Sequence, residues 1–261
     1  MALLSSPCIS ADFSNEYIKQ HPLETVLANN IEIAYREIGK KGNPKVLLIM
    51  GLGASNLVHG DNMVRGLEDL GYQILIFDNR DTGGSTRFDD WGQPTIWWQL
   101  LKNSLRLSVN APYNLDDMAK DTAALMEALD YEDAHVVGFS MGGMIAQVLV
   151  ANYPERVKTF KLIASTASTP SPFNGPTRKV RKLLMNRTKN PDASMDERIE
   201  RTRKIFKEIG YEGVDLNTNE FYENTKASIE RAGKDDTGFG RQLTAILGSP
   251  NRIERIETIT A

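Results

Sequence analysis

The sequence has little cysteine, no strong charge and no long apolar run, and each shortage excludes a class of protein. The single cysteine, Cys8, excludes an internal disulfide framework and makes the cytoplasm the expected compartment. A formal net charge of −3 gives no electrostatic basis for binding nucleic acid or an anionic membrane. No apolar run approaches the ~18 residues of a membrane-spanning helix, so no membrane partner is expected.

Histidine is also scarce, and its distribution bears on the most informative segment, residues 138–143 with the sequence GFSMGG. A Gly-x-Ser-x-Gly pattern between a strand and a helix is the nucleophile elbow, which holds a serine, here Ser140, at a strained turn. In folds that use this elbow, an acid and then a histidine follow the serine along the chain. His21, His59 and His135 all precede it. The nucleophile is present and its usual base is missing.

The hydrophobic pattern alternates between strand and helix, which predicts a parallel α/β sheet. Asn114 and Asp117 have the spacing of a capping box and predict the start of one helix. Apolar runs and apolar–polar alternation predict strands at Thr25–Ala28, Ile31–Ile38, Val46–Met50, Ile74–Phe77, Ala134–Val137 and Phe160–Ala164.

The character of the chain changes at both ends of this alternation. Residues 1–23 are polar and without pattern, which predicts an arm on the surface, and residues 24–168 form the predicted core. A stretch rich in Ser, Thr, Pro and Gly then leads into helical patterns, so residues 169–250 are predicted to be a helical lid. Residues 251–261 are predicted to begin a further core segment.

Four motifs carry a resemblance to a known family: IMGLG at 49–53, FDNRDTGGS at 77–85, YNLDDM at 113–118 and GFSMGG at 138–143. In this order they resemble the α/β-hydrolase fold enzymes, most closely the aclacinomycin methylesterase-like branch, with proline iminopeptidases as more distant relatives. The resemblance covers residues 24–261. It implies an α/β-hydrolase fold, with a mostly parallel sheet flanked by helices and a helical lid after the sixth strand.

The resemblance also implies the chemistry. Ser140 would attack the carbonyl of a small-molecule ester, such as a methyl ester, and form an acyl-enzyme. The backbone N–H groups of Met141 and Leu52 would hold the oxyanion, and such donors are each worth about 10²–10³ in rate. No cofactor or metal is implied.

Three other groups have a structural and a functional interpretation. The stretch Asp78–Ser85 looks catalytic, but the family uses it to brace neighbouring loops, and we expect that role here. Trp91, Trp97 and Trp98 could line an acyl pocket or pack in the helix before Tyr113. The basic residues of the lid, Arg178, Lys179, Arg181, Lys182, Arg187 and Lys189, could attract an anion, but a solvated helix face is the simpler interpretation.

The missing triad partners lead to a further expectation. His135 opens the strand at the end of the sheet remote from Ser140, and His21 belongs to the arm, so only His59 is a conceivable substitute base. The family places its acid after the sixth strand or at the end of the seventh, and neither place offers one here. Two strand–helix units of roughly 40 residues are expected to be missing, because the chain stops at residues 259–261.

Three functions therefore remain open. The first is an esterase-like serine hydrolase of which this chain is an incomplete copy. The second is a catalytically inactive binding protein that retains the pocket. The third is a dinucleotide-binding protein, because Gly51-x-Gly53 between two strands and Asp78 imitate that fingerprint. Asn56 replaces the third glycine, however, and the elbow at Ser140 would have no explanation.

Overall fold

The fold is built on a single twisted sheet, seen in a computed structural model that describes residues 13–169, 175–190, 193–210, 214–233, 237–257 and 259. The six strands lie in the order β1-β2-β4-β3-β5-β6. β1 and β2 are antiparallel to their neighbours, and β4, β3, β5 and β6 are mutually parallel. The strands are β1 (Glu24–Ala28), β2 (Ile31–Ile38), β3 (Lys45–Ile49), β4 (Gln73–Phe77), β5 (Ala134–Phe139) and β6 (Val157–Ile163). The predicted strands are confirmed to within about three residues at each end.

The central strands are buried because helices cover both faces of the sheet. Every residue of β4 is buried, as are Val46–Ile49 of β3, which agrees with their continuous apolar sequence. β6 forms one edge, and its Leu162 and Ile163 are 40% and 42% exposed. No strand of the described residues pairs with its outer side, so this edge presents an unpaired backbone together with apolar side chains.

The helices form two groups, one that packs on the sheet and one that follows β6 in the sequence. Asn114 accepts from the N–H of Asp117, whose side chain accepts from the N–H of Asn114, so the predicted capping box is confirmed. The helices flanking the sheet are α1 (Glu16–Gln20), α2 (Asp61–Asp69), α3 (Ile96–Ser104), α4 (Leu115–Ala128) and α5 (Met141–Asn152). Those beyond β6 are α6 (Arg178–Lys189), α7 (Met195–Ile209), α8 (Asn219–Ala232), α9 (Thr237–Gly248) and α10 (Ile253–Glu257). We refer to α6–α9 as the helical segment. No helix in the described ranges could cross a membrane.

The N-terminal arm differs from the expectation of a surface arm without pattern. Its described end contains α1, and Ile18 of this helix is fully buried. The carboxylate of Asp61 accepts from the Ser14 hydroxyl at 2.6 Å and from the N–H of Ile18 at 3.0 Å. The arm is therefore fastened to the start of α2. Cys8 and the other residues of 1–12 lie outside the described part of the chain, as do Thr258, Thr260 and Ala261 of the predicted C-terminal core segment.

Candidate active site

Ser140 lies between β5 and α5 with its backbone at φ 52° and ψ −114°. A non-glycine residue in so sparsely populated a region costs of order 1–3 kcal/mol and persists only where its surroundings enforce it. Here the Ser140 N–H donates to the carbonyl of Ile163 at 2.9 Å, and the Ser140 carbonyl accepts from the Ser165 hydroxyl at 2.8 Å. The strained strand–helix turn predicted at Ser140 is thus present, and its side chain is exposed.

The glycines of the turn allow α5 to touch the sheet directly. A Cβ on Gly142 would lie 2.1 Å from the carbonyl oxygen of Ile49, and a Cβ on Gly138 would lie 2.5 Å from that of Gly142. Both contacts are with backbone, which cannot rotate away as a side chain can. Only glycine fits these two positions.

We expect Gly142→Ala to distort the turn that holds Ser140. Overpacking of this kind costs typically 1–3 kcal/mol, so the midpoint of thermal unfolding should fall. The matched control is Gly66→Ala in α2, where a new Cβ meets nothing within 4 Å and should stabilise the helix by roughly 0.5–1 kcal/mol. Equal unfolding midpoints for the two variants would contradict the close packing of α5 on β3.

The loop after β3 lies against this turn. An ideal Cβ on Gly51 would be 3.8 Å from the Ser140 hydroxyl oxygen, so the neighbouring Leu52 is close to the serine. The Gly53 N–H donates to the Gln242 side chain at 2.7 Å, which fixes the loop to α9. By contrast, the N–H groups of Leu52 and Met141 donate no hydrogen bond to any described residue. Both remain available to an added acceptor, and their assignment as oxyanion donors stays a prediction.

A cavity of about 800 Å³ opens beside Ser140. Its floor comes from the loop after β3, and most of its wall comes from α6, α7 and α8. The side chains of these helices in the wall are largely apolar, among them Val180, Leu184, Ile205, Phe206, Ile209, Phe221 and Ile229. A cavity of this size and character suits a small organic molecule.

The histidines do not provide a hydrogen-bonded base. His21 contacts the Tyr17 carbonyl at 3.0 Å, and His135 contacts the Thr159 hydroxyl at 2.9 Å. Only His59 lines the cavity, where it is 7% exposed and its ring centroid is 5.6 Å from that of Phe139. Within the described ranges, the Ser140 hydroxyl makes no hydrogen bond to a histidine or an acid.

The environment of His59 also keeps it uncharged. Burial lowers the pKa of its imidazole to about 3, and the Leu48 carbonyl opposes that shift in pKa by a smaller amount. Neither ring nitrogen has a partner at full hydrogen-bond geometry in the described part of the chain. His59 is therefore a neutral imidazole at neutral pH.

The stretch Asp78–Ser85 braces loops, as predicted. The buried Asp78 carboxylate accepts from the N–H of Asn56 at 2.7 Å and from that of Gly84 at 3.0 Å, and it also pairs with Arg231 of α8. Burial raises the pKa of Asp78, and the Arg231 guanidinium opposes this shift. Arg80 forms a bidentate pair with Asp121 at 2.5 and 2.6 Å. Because Asp78 is fully enclosed, it cannot reach a ribose, which argues against the dinucleotide interpretation.

A third buried ion pair, which the sequence did not indicate, joins this stretch to α9. Arg241 donates two hydrogen bonds to the Asp81 carboxylate, at 2.9 and 2.6 Å. The side chains of both residues are 0% exposed. The Tyr113 hydroxyl and the Phe88 N–H also donate to Asp81. The helical segment is thus fixed to the core by charge as well as by packing.

The acyl-pocket interpretation of the tryptophans is wrong for the cavity beside Ser140, and packing is seen in part, because Trp91 stacks on Phe88 with ring centroids 4.1 Å apart. Trp91, Trp97 and Trp98 are 53%, 64% and 45% exposed, and none lines the cavity beside Ser140. Trp97 and Trp98 do lie in the helix before Tyr113, but on its outer side.

The basic stretch of the lid divides between the two interpretations. Lys179 pairs with Glu208 on the surface, whereas Arg187 lines the cavity and stacks on Phe239 at 4.4 Å. The side chain of Lys189 lies outside the described residues. Across the described ranges, no three His, Cys, Asp or Glu side chains form a group that could hold a metal.

Known proteins with similar sequences and structures include several hydrolases. A family model described as alpha/beta hydrolase fold matches residues 44–204, more than half of the chain. The chain is similar to rhodomycin D methylesterase DauP of Streptomyces sp. (strain C5), with 26% identity over 230 residues that cover 82% of this chain and 71% of DauP. It is also similar to 3-oxoadipate enol-lactonase 2 of Acinetobacter baylyi, with 25% identity over 148 residues, or 57% and 46% of the two chains.

Solved structures agree on the fold. A mutant of the meta-cleavage product hydrolase CumD from Pseudomonas fluorescens IP01, complexed with acetates, superposes with a TM-score of 0.64 at 21% identity. The match covers 91% of this chain and 76% of CumD. The enol-lactonase from Burkholderia xenovorans LB400 superposes with a TM-score of 0.61 at 19% identity and covers 91% and 78% of the two chains.

Proposed function

The chain belongs to the α/β-hydrolase fold family, and from that premise we propose that it is an esterase-like serine hydrolase acting through Ser140. The observation that carries the proposal is the backbone of Ser140, held at φ 52° beside a cavity of about 800 Å³. Strain of this kind concentrates at functional sites. The turn exposes one hydroxyl to the cavity, which is the arrangement that nucleophilic catalysis needs.

The substrate is a small carboxylic ester. Relatives named as a methylesterase and an enol-lactonase support an ester, and DauP supports a methyl ester in particular. The apolar wall of the cavity suits the body of such a molecule, with the helical segment as its lid. We place the reaction in the cytoplasm, as expected from the single cysteine.

In the reaction, the Ser140 oxygen forms a bond to the ester carbonyl carbon while its proton passes to a base. The carbonyl oxygen becomes an oxyanion held by the N–H groups of Met141 and Leu52, with the N-terminus of α5 adding its dipole. Collapse of this intermediate breaks the bond to the alcohol oxygen, and the departing alcohol takes up a proton. The acyl-enzyme that remains is then hydrolysed by water. The described residues contribute the nucleophile and the two donors, but none of them is a base that accepts a hydrogen bond from the Ser140 hydroxyl.

A second candidate is a binding protein that retains the cavity without turnover. It is favoured by one observation, the absence of a hydrogen bond from the Ser140 hydroxyl to a described base. Loss of the histidine from a comparable triad costs about 10⁶ in turnover. An oxyanion hole and binding alone leave a residual 10³–10⁴ over water.

Labelling with a fluorophosphonate probe tests Ser140 as the nucleophile. We expect a slow covalent adduct, with loss of fluoride, that peptide mass spectrometry locates at Ser140. Ser140→Ala should remove it, whereas Ser228→Ala, which deletes another serine hydroxyl of the cavity wall, should not. Persistent absence of an adduct at Ser140 in the folded chain would refute the hydrolase and favour the binding protein.

A further inference from the structure

The cavity beside Ser140 has a polar region within its largely apolar wall. Asn15, Ser55 and His59 line it there, and they are 1%, 0% and 7% exposed. The Asn15 carboxamide oxygen, the Ser55 hydroxyl and both His59 ring nitrogens are buried with no hydrogen-bond partner in the described ranges.

These unpartnered atoms are concentrated rather than scattered. Of the ten such side-chain atoms in the described part of the chain, six belong to Asn15, Ser55, Asn56 and His59. Buried polar groups without partners cost about 1–3 kcal/mol each, and native proteins contain few of them. Four of these six atoms, on Asn15, Ser55 and His59, belong to residues that line the cavity, which indicates a built polar surface there.

The fold holds the three side chains together. Ser55 directly precedes the short 3₁₀ turn Asn56–His59, and His59 is the last residue of that turn. Asn15 comes from the distant arm, which is held here by the Asp61 N–H donating to the Ser14 carbonyl at 2.8 Å. Ser14 directly precedes Asn15, and Asp61 lies two residues after His59. The His59 ring in turn packs on Phe139, the residue before Ser140.

The chemistry of the three groups defines their ligand. An amide, a hydroxyl and a neutral imidazole together offer donors and acceptors without charge. The charged residues of the cavity wall are engaged elsewhere, Arg187 with the Gly53 carbonyl and Glu208 with Lys179. An alcohol or phenol hydroxyl, which both donates and accepts, matches this set better than a carboxylate.

We propose that Asn15, Ser55 and His59 form a binding site for an uncharged hydroxyl group of the substrate. The ester in the reaction then carries such a hydroxyl at a distance from its reacting carbonyl. This assignment of the substrate class rests on the proposed function, but binding of the hydroxyl at this site does not require turnover.

The test measures binding to the full chain carrying Ser140→Ala, so that no ester is consumed. The probes are methyl benzoate and its 2-, 3- and 4-hydroxy derivatives, which differ by one hydroxyl. One net hydrogen bond corresponds to roughly twofold to tenfold tighter binding, and we expect that gain for at least one derivative. Equal affinities for all four esters, or no saturable binding of any, would overturn the proposal.

Two further variants locate the preference. His59→Phe keeps the ring packing on Phe139 and Ser55→Ala keeps the backbone, and each should abolish the preference for the hydroxylated ester. The control is Thr202→Val, because the Thr202 hydroxyl also belongs to the cavity wall but already donates to the Arg198 carbonyl. A preference that survives both His59→Phe and Ser55→Ala would contradict the assignment.

Stability without ligand provides an independent reading. Replacing an unpartnered imidazole by an apolar ring should raise the unfolding midpoint, by roughly 2–4 °C if one orphaned group is relieved. A fall in the midpoint would mean that His59 is already hydrogen-bonded in the unliganded protein, against the proposal. If the preference for the hydroxylated ester is found but the probe never labels Ser140, the proposed hydrolase is refuted and the hydroxyl site is supported. If Ser140 is labelled but no preference is found, the hydroxyl site is refuted and the hydrolase is supported.

Discussion

The rate of fluorophosphonate labelling at Ser140 should rise about tenfold for each unit of pH between about pH 6 and about pH 9. A serine hydroxyl without a positioned base reacts through its small alkoxide fraction, which grows in proportion to hydroxide. No described residue accepts its proton, and His59, with a pKa of about 3, does not titrate in this range. The profile should therefore be a straight line in logarithmic form over about three decades.

The shape of the profile identifies any base that acts on Ser140. A plateau above a midpoint near 6 to 7 would indicate a histidine of ordinary pKa, which would have to come from outside the residues of this sequence. A high rate that does not vary with pH would indicate a base already neutral at pH 6, and would point to His59. Ser140→Ala supplies the blank at every pH, because hydroxide also consumes the probe.

Arg241→Met should destabilise the protein by about 3–5 kcal/mol. Removing one partner of a buried ion pair leaves the other charge without compensation, and the Asp81 carboxylate is 0% exposed. The Tyr113 hydroxyl and the Phe88 N–H would remain as its donors, but neither neutralises the charge. Chemical denaturation at neutral pH, with the free energy of unfolding extrapolated to water, measures the loss.

Two companion variants test the cause of that loss. Asp81→Asn together with Arg241→Met removes both charges, so the double variant should lose less stability than Arg241→Met alone. Lys158→Met breaks the solvent-exposed pair with Asp133 and should cost no more than about 1 kcal/mol. A loss for Arg241→Met as small as that for Lys158→Met would mean that the buried pair does not hold α9 to the core.

The central part of the fold was predictable because its signals are local. The apolar runs that predicted β3 and β4 follow from burial on both faces, and the capping box at Asn114 spans only three residues. The Ser140 turn was recognised for the same reason, since the glycines that permit it are sequence neighbours. The α1 helix was missed because its anchor, Asp61, lies 43 residues from Ile18.

The residues missed in the site have long-range partners. Arg241 and Asp81 are 160 residues apart, and the Gln242 side chain that fixes Gly53 acts across 189. Nothing in the neighbourhood of either residue marks it as different from other polar residues on a helix. The expectation for Trp97 and Trp98 was wrong for a different reason, because both lie on the exposed side of α3.

Because of the dihedral angles of Ser140, selection for stability and selection for the function of the hydroxyl favour different residues at this position. A glycine there would adopt φ 52° without a steric penalty, so selection for stability alone favours the loss of the side chain. A serine survives in such a place only while its hydroxyl contributes to fitness. In relatives that have lost the activity, we expect position 140 to change to glycine before the surrounding core residues change. The residue at this position therefore indicates whether the activity is still under selection.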